Sequence, residues 1–196
     1  SGEDIHTHTA RVVFGVGDVT STQRRQAKII NFGVLYGMSA HRLSNEFGVS
    51  FKEADNFIKE YFERFSGVSK YIKEVVEQGR KRGYTETILG RRRYVPDLLS
   101  KDFQVRSAGE RAAVNSPIQG SAADIIKLAM IRLEQKLEKT KSKLLLQIHD
   151  ELVLECPDDE TDEMTNLIRE VMENVCESRV PFTCEVHSGK NLLEAK

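Results

Sequence analysis

Arg24-Arg25-Gln26-Ala27-Lys28-Ile29-Ile30-Asn31-Phe32-Gly33-Val34-Leu35-Tyr36-Gly37 is the stretch on which the reading of this chain turns. Just upstream, Thr20-Ser21-Thr22 supplies hydroxyl oxygens that can accept from the unsatisfied N–H groups of a helix start, and the spacing predicts a helix from about Gln23 to Gly37. Arg24, Lys28, Phe32 and Tyr36 recur every four residues and so form one slowly winding stripe. Ala27, Ile30, Val34 and Met38 fall on roughly the opposite side, about 135° away, and can pack inward. The stripe carries two cations near the helix start and two aromatics beyond them. Cations suit phosphate oxygens, and a helix N-terminus adds its own partial positive charge. Aromatics suit a sugar and a base. On spacing alone an ordinary amphipathic helix, with core aromatics and solvated cations, fits as well and is the commoner case.

Outward from this stretch the pattern stays helical. Ser50-x-x-Glu53 is a capping box, and Ala54, Phe57, Ile58, Tyr61, Phe62 and Phe65 behind it mark one buried helix face. A third helix places Val68, Ile72, Val75, Val76 and Gly79 inward. Tyr84–Val95 reads as a hairpin turning at Gly90 and closed by Pro96. Helical residues resume near Gln104, are interrupted at Ser116-Pro117 because proline has no N–H to donate, and continue through Ala122–Leu137. Leu144–Ile148 and Leu152–Glu155 are short apolar strands around His149-Asp150-Glu151. An acid-opened helix then buries Met164, Leu167, Ile168, Val171, Met172 and Val175, and Phe182–Val186 is expected to join the sheet as a last strand. The outcome is a helical first part and an α+β second part.

Composition bounds the function classes. With 39% hydrophobic and 30% charged residues the chain is an ordinary globular sequence, with no apolar run of membrane-spanning length and no signal peptide. Cys156, Cys176 and Cys184 lack metal-site spacing and read as reduced, buried thiols, which suggests a cytoplasmic protein. Residues 1–150 carry 25 Lys and Arg against 18 Asp and Glu, a balance of +7, whereas residues 151–196 carry 4 against 12, a balance of -8. A basic majority with an acidic end suits a protein that grips a polyanion with one part only, though solvated helix faces of opposite sign would look the same. The start, Asp4-Ile5-His6-Thr7-His8-Thr9-Ala10, reads like the middle of an element, as though cut from something longer.

Two further constellations carry chemistry. The tip His149-Asp150-Glu151 raises carboxylates at the rim of a sheet, where Asp tolerates unusual backbone angles and oxygen ligands suit Mg²⁺; a plain polar hairpin tip is the simpler alternative. Arg111, Asn115 and Gln119, spaced by four around Pro117, offer donors to the minor groove of DNA, or else cap and bond within a core. Arg80-Lys81-Arg82 and Arg91-Arg92-Arg93 add electrostatic affinity for DNA, help lock the first part, or are solvated surface.

The strings themselves narrow these alternatives. Arg24–Gly37 resembles motif B of the family A DNA polymerases, the bacterial DNA polymerase I type, nearly residue for residue. The resemblance continues in order through Tyr61–Phe65, Thr87–Arg92, Glu110–Gly120 and Gln147–Leu152, which resembles motif C. It implies that His6, Arg24 and Lys28 contact the triphosphate of an incoming deoxynucleotide, that Phe32 lies against its sugar and that Tyr36 sits near the nascent base pair. It implies Arg111, Asn115, Gln119 and His149 as primer–template contacts, and Asp150, Glu151 and Lys28 as candidate catalytic residues. Asp150 would bind metal in a two-Mg²⁺ site. The partner Asp belongs to motif A, expected in a strand before Ser1, so that site would be half present. Departures at His187 and Leu192 and a shorter Gly15–Val19 loop touch none of these residues.

The fold implied is α+β: a helical fingers subdomain, about 1–120, followed by the C-terminal part of a polymerase palm, 121–196, with a short antiparallel sheet packed on helices. The function implied is template-directed DNA synthesis in replication or repair, with primer–template DNA, deoxynucleoside triphosphates and the missing palm and thumb portion of the same polymerase as partners, and no membrane. The alternatives are an inert nucleotide- or DNA-binding module, one chain of a split polymerase, or more distantly a single-subunit RNA polymerase.

Overall fold

The computed structural model describes residues 4–195. Among the described residues, seven α-helices and two two-stranded sheets follow in the order α1 (Ile5–Phe14), α2 (Ser21–Leu35), α3 (Ala40–Phe47), α4 (Phe51–Arg64), α5 (Ser66–Arg82), β1 (Tyr84–Glu86), β2 (Arg92–Tyr94), α6 (Phe103–Leu137), β3 (Lys143–Ile148), β4 (Glu151–Glu155) and α7 (Thr161–Glu173). The chain divides into two compact units. The first runs to Thr85 and takes in Arg92–Asn115; the second comprises Glu86–Arg91 and the chain from Ser116 onward.

In the first unit, side-chain caps set where the helices begin. Thr20 accepts from Gln23 N and Gln23 reaches back to Thr20 N, a complete capping box. Ser50 and Glu53 do the same for α4, and Ser39 caps α3. Two helices that the periodicity did not single out, α1 and α3, end at Gly15 and Gly48, whose positive φ values close a left-handed cap. One core gathers Ile30 and Val34 of α2, Leu43 of α3, and Ala54 and Tyr61 of α4, with Phe57, Ile58, Phe62 and Phe65 packed against it. The apolar stripe expected on α4 is therefore the face that this core uses. A second cluster joins Val76, Val95, Leu98, Ala113 and Val114. Gly79 lets this cluster close up tightly, since a Cβ there would stand 2.9 Å from Leu98 Cδ1 and push it aside.

In the second unit, Leu133 and Leu137 of α6 meet Met164 and Val171 of α7, with Leu144, Leu152 and Leu154 of the hairpin packed against them. β3 and β4 pair antiparallel, Lys143 opposite Glu155 and Ile148 opposite Glu151, with a bulge between Leu144 and Leu146. Glu160 anchors the approach to β3 by accepting from Lys141 N (2.9 Å), Ser142 N (3.0 Å) and Ser142 Oγ (2.6 Å). These bonds hold its carboxyl below its ordinary range.

Four expectations need correction. Helix α6 is continuous through Pro117, because one proline removes a single i→i−4 bond while the turns on either side keep theirs; Ser121 Oγ also donates to the Pro117 carbonyl. Phe182–Val186 forms no strand: the amide of Cys184 is taken by the Glu173 carboxylate at 3.0 Å instead of a ladder partner. The residue with left-handed backbone at the hairpin tip is His149 (φ 56), not Asp150. The three cysteines are free, as expected, but half-buried.

Candidate nucleotide-binding site

The stripe on α2 exists as a surface. Arg24, Lys28 and Phe32 are exposed and Tyr36 is half-buried, while Ala27, Ile30 and Val34 behind them are at most 3% exposed. The aromatics are ordered relative to one another. The Phe32 and Tyr36 rings stack with centroids 6.1 Å apart and planes 17° apart, and Lys28 Nζ lies 6.0 Å from the Phe32 centroid. Phe32 leaves 42% of its surface open, which gives a flat face something to lie against.

Helix α1 completes the group. Its His6 ring sits 5.6 Å from that of Phe32, tilted by 51°. Asp4, the N-cap of α1, accepts from Thr7 N and also from Arg24, whose Nε lies 2.7 Å from Oδ2 and Nη2 3.3 Å from Oδ1. The bonds from Arg24 and then Thr7 hold the Asp4 carboxyl well below the usual carboxylate range. Desolvation lowers the His6 pKa; Asp4 opposes this, and the charges of Arg24 and Lys28 reinforce it. One face thus carries two cations, a neutral-leaning imidazole and two stacked rings, a combination that suits an anion joined to a flat group.

Arg111 and Asn115 lie in the same unit. Arg111 Nη1 donates to Ser107 Oγ at 2.9 Å, and its aliphatic stem packs where a Cβ on Gly37 would stand, 2.9 Å from Cγ. Asn115 Oδ1 is buried with no hydrogen-bond partner, an acceptor left open. Several arginines of the basic runs hold structural bonds: Arg80 pairs with Glu110 in the first unit, and Arg91 Nε with Asp124 at 2.7 Å in the second. Thr87 Oγ1 also donates to Asp124, at 2.7 Å.

The second unit presents His149, Asp150 and Glu151, all exposed, at the β3–β4 tip, with Gln147 Nε2 donating to the His149 carbonyl at 2.6 Å. Gln119 is exposed in this unit too. Asp150 and Glu151 are oxygen donors of the kind Mg²⁺ takes. Among the described residues, however, no group of three or more His, Cys, Asp or Glu side chains could hold a metal ion, so these carboxylates do not by themselves fit a complete ion site. The predicted residues are thus divided between the two units, with the His6–α2 face in the first and the β3–β4 tip in the second. Asp4, Thr9 and Asn31 belong to the first group and escaped the sequence reading, because their bonds reach across twenty residues or more.

A sequence model of DNA polymerase family A matches residues 1–194. "DNA polymerase I, thermostable" of Thermus filiformis is 53% identical over the whole chain, which covers 24% of that protein, and DNA polymerase I of Deinococcus radiodurans is 49% identical, with 21% covered. The chain therefore spans about a quarter of the length of the curated relatives it matches. The POL domain of Pol1 from M. smegmatis, in complex with DNA primer-template and dNTP, superposes with a TM-score of 0.87 at 48% identity, covering 92% of this chain and 32% of that one. No described helix is long and apolar enough to cross a membrane.

Proposed function

This chain belongs to DNA polymerase family A, and from that premise we propose that it is the substrate-selecting portion of an enzyme that transfers deoxynucleotides to a primer 3′-hydroxyl on a DNA template. The observation that carries this reading is the α2 face, where Arg24, Lys28, Phe32 and Tyr36 stand outward beside His6. Arg24, Lys28 and His6 take the triphosphate, Phe32 lies against the sugar, and Tyr36 borders the base pair. Arg111, Asn115, Gln119 and His149 contact primer and template. Residues 1–120 act as fingers and 121–196 as part of the palm, working in the cytoplasm of a bacterial-type cell.

Asp150 is this chain's contribution to the Mg²⁺ ligand set, with Glu151 beside it. The remaining carboxylate is assigned to motif A in the palm and thumb portion with which the chain works. Lys28 is the simplest residue to test. Lys28→Ala removes one charge-assisted contact, worth about 1.5–3 kcal/mol, so deoxynucleoside triphosphate affinity should fall by roughly one to two orders of magnitude while the fold persists. Unchanged affinity by calorimetry sinks the assignment. Primer extension separates the alternatives: synthesis only after a palm and thumb portion is added supports a split or partial polymerase, and none in either case supports an inert binding module.

A further inference from the structure

Asn31 is 6% exposed and lies on α2 beside the stripe, where a buried amide must be satisfied by specific partners. Its Oδ1 accepts from Thr9 Oγ1 at 3.0 Å. Its Nδ2 lies 3.0 Å from His6 Nδ1 and 3.5 Å from the carbonyl oxygen of Ile5. The Ile5 carbonyl can only accept, so the amide end facing both it and His6 is the NH₂ group. An NH₂ group donating to Nδ1 requires that Nδ1 carry no proton. A neutral imidazole then holds its one proton on Nε2.

We propose that Asn31 is a positioning residue that fixes His6 as the Nε2–H tautomer, so that the ring offers an N–H donor to a polyphosphate oxygen. The proposal rests on the reading of His6 as a phosphate contact and adds which atom makes that contact and what sets it. Thr9 orients the amide and Asn31 orients the imidazole. The ring then meets its ligand in one protonation pattern, with no proton to rearrange on binding. The charged groups around His6 are Asp4 of its own helix and Arg24 and Lys28 of α2, and its lowered pKa keeps the neutral form present at neutral pH.

Nitrogen-15 NMR of the full chain labelled at histidine reads the tautomer directly, with the His6 signals identified by their absence from His6→Gln. At neutral pH the expected pattern is protonated Nε2 and unprotonated Nδ1. A protonated Nδ1, or an even mixture, overturns the proposal without any change to Asn31. In Asn31→Asp a carboxylate faces Nδ1, so the proton should move to Nδ1 and the His6 titration midpoint should rise. A folded Asn31→Asp protein with the wild-type pattern also overturns it. Inorganic tripolyphosphate tests the reading beneath: it should shift the Nε2 resonance of the wild type. An Nε2–H ring that ignores tripolyphosphate leaves the tautomer assignment supported and rejects His6 as the phosphate contact.

Discussion

Phe32 leaves much of its ring in solvent, so on the proposed reading a group added to that ring would change what a bound sugar meets without disturbing the core behind it. In the complete enzyme Phe32→Tyr should raise dideoxynucleotide use relative to deoxynucleotide use, because a phenol hydroxyl can replace the interaction of a missing 3′-hydroxyl. Competitive incorporation on one template measures the ratio, and an unchanged ratio rejects the placement of Phe32 at the sugar. Asp4 gives a pH signature. Its carboxyl titrates lower in the folded chain than in the unfolded one, so its stabilising effect is complete above the ordinary carboxylate range and fades as pH falls through the lowered value. Asp4→Asn should therefore lower the melting temperature at neutral pH and lose much of that difference in strong acid. The stripe of Arg24, Lys28, Phe32 and Tyr36 was legible because helix spacing puts the four on one side, whereas its reading as a site came from the family resemblance. Asp4 and Asn31 were not, because a local pattern cannot reveal a bond to a residue twenty or more positions away.

Caps and glycines explain the elements. The capping boxes at Thr20 and Ser50 were readable because each satisfies amides only three residues on. The last expected strand failed for the opposite reason: whether Phe182–Val186 pairs depends on tertiary competition, and a carboxylate on Glu173 takes one of its amides. The turn at the end of α2 is equally tertiary. Gly37 has φ +81, and the position a Cβ would occupy lies 2.9 Å from Arg111 Cγ and 3.2 Å from its Cδ. Gly37→Ala should therefore cost about 1–2 kcal/mol from backbone strain alone, more if Arg111 cannot move aside. Chemical denaturation measures the cost. If Arg111 contacts the template as proposed, template affinity should fall with it, and a loss of stability with template affinity intact would reject that contact.

Each unit of the whole molecule owns its core, and the cores can be weakened separately. Ile30→Ala empties the α2–α3–α4 cluster and Leu133→Ala the cluster beneath β3 and β4; each should cost about 2–5 kcal/mol. Hydrogen exchange should place the lost protection in α2–α4 for the first variant and in β3, β4 and α7 for the second. Equal loss everywhere from either variant would mean that the units unfold together. The order of helices then hairpin was legible at this scale because the period of apolar residues changes along the chain; that α6 runs unbroken past Pro117 was not, because a local rule about proline says nothing of the bonds in the turns around it. The fork that Asp4 makes with Arg24 also sets terms for any anion arriving there. Such an anion has to outcompete a carboxylate already seated on the guanidinium. A singly charged ion offers no more than the incumbent, whereas a polyphosphate brings several charges to Arg24 and Lys28 at once. On the proposed reading the pair would act as a valence filter, favouring a triphosphate over simple salt at Arg24 and Lys28.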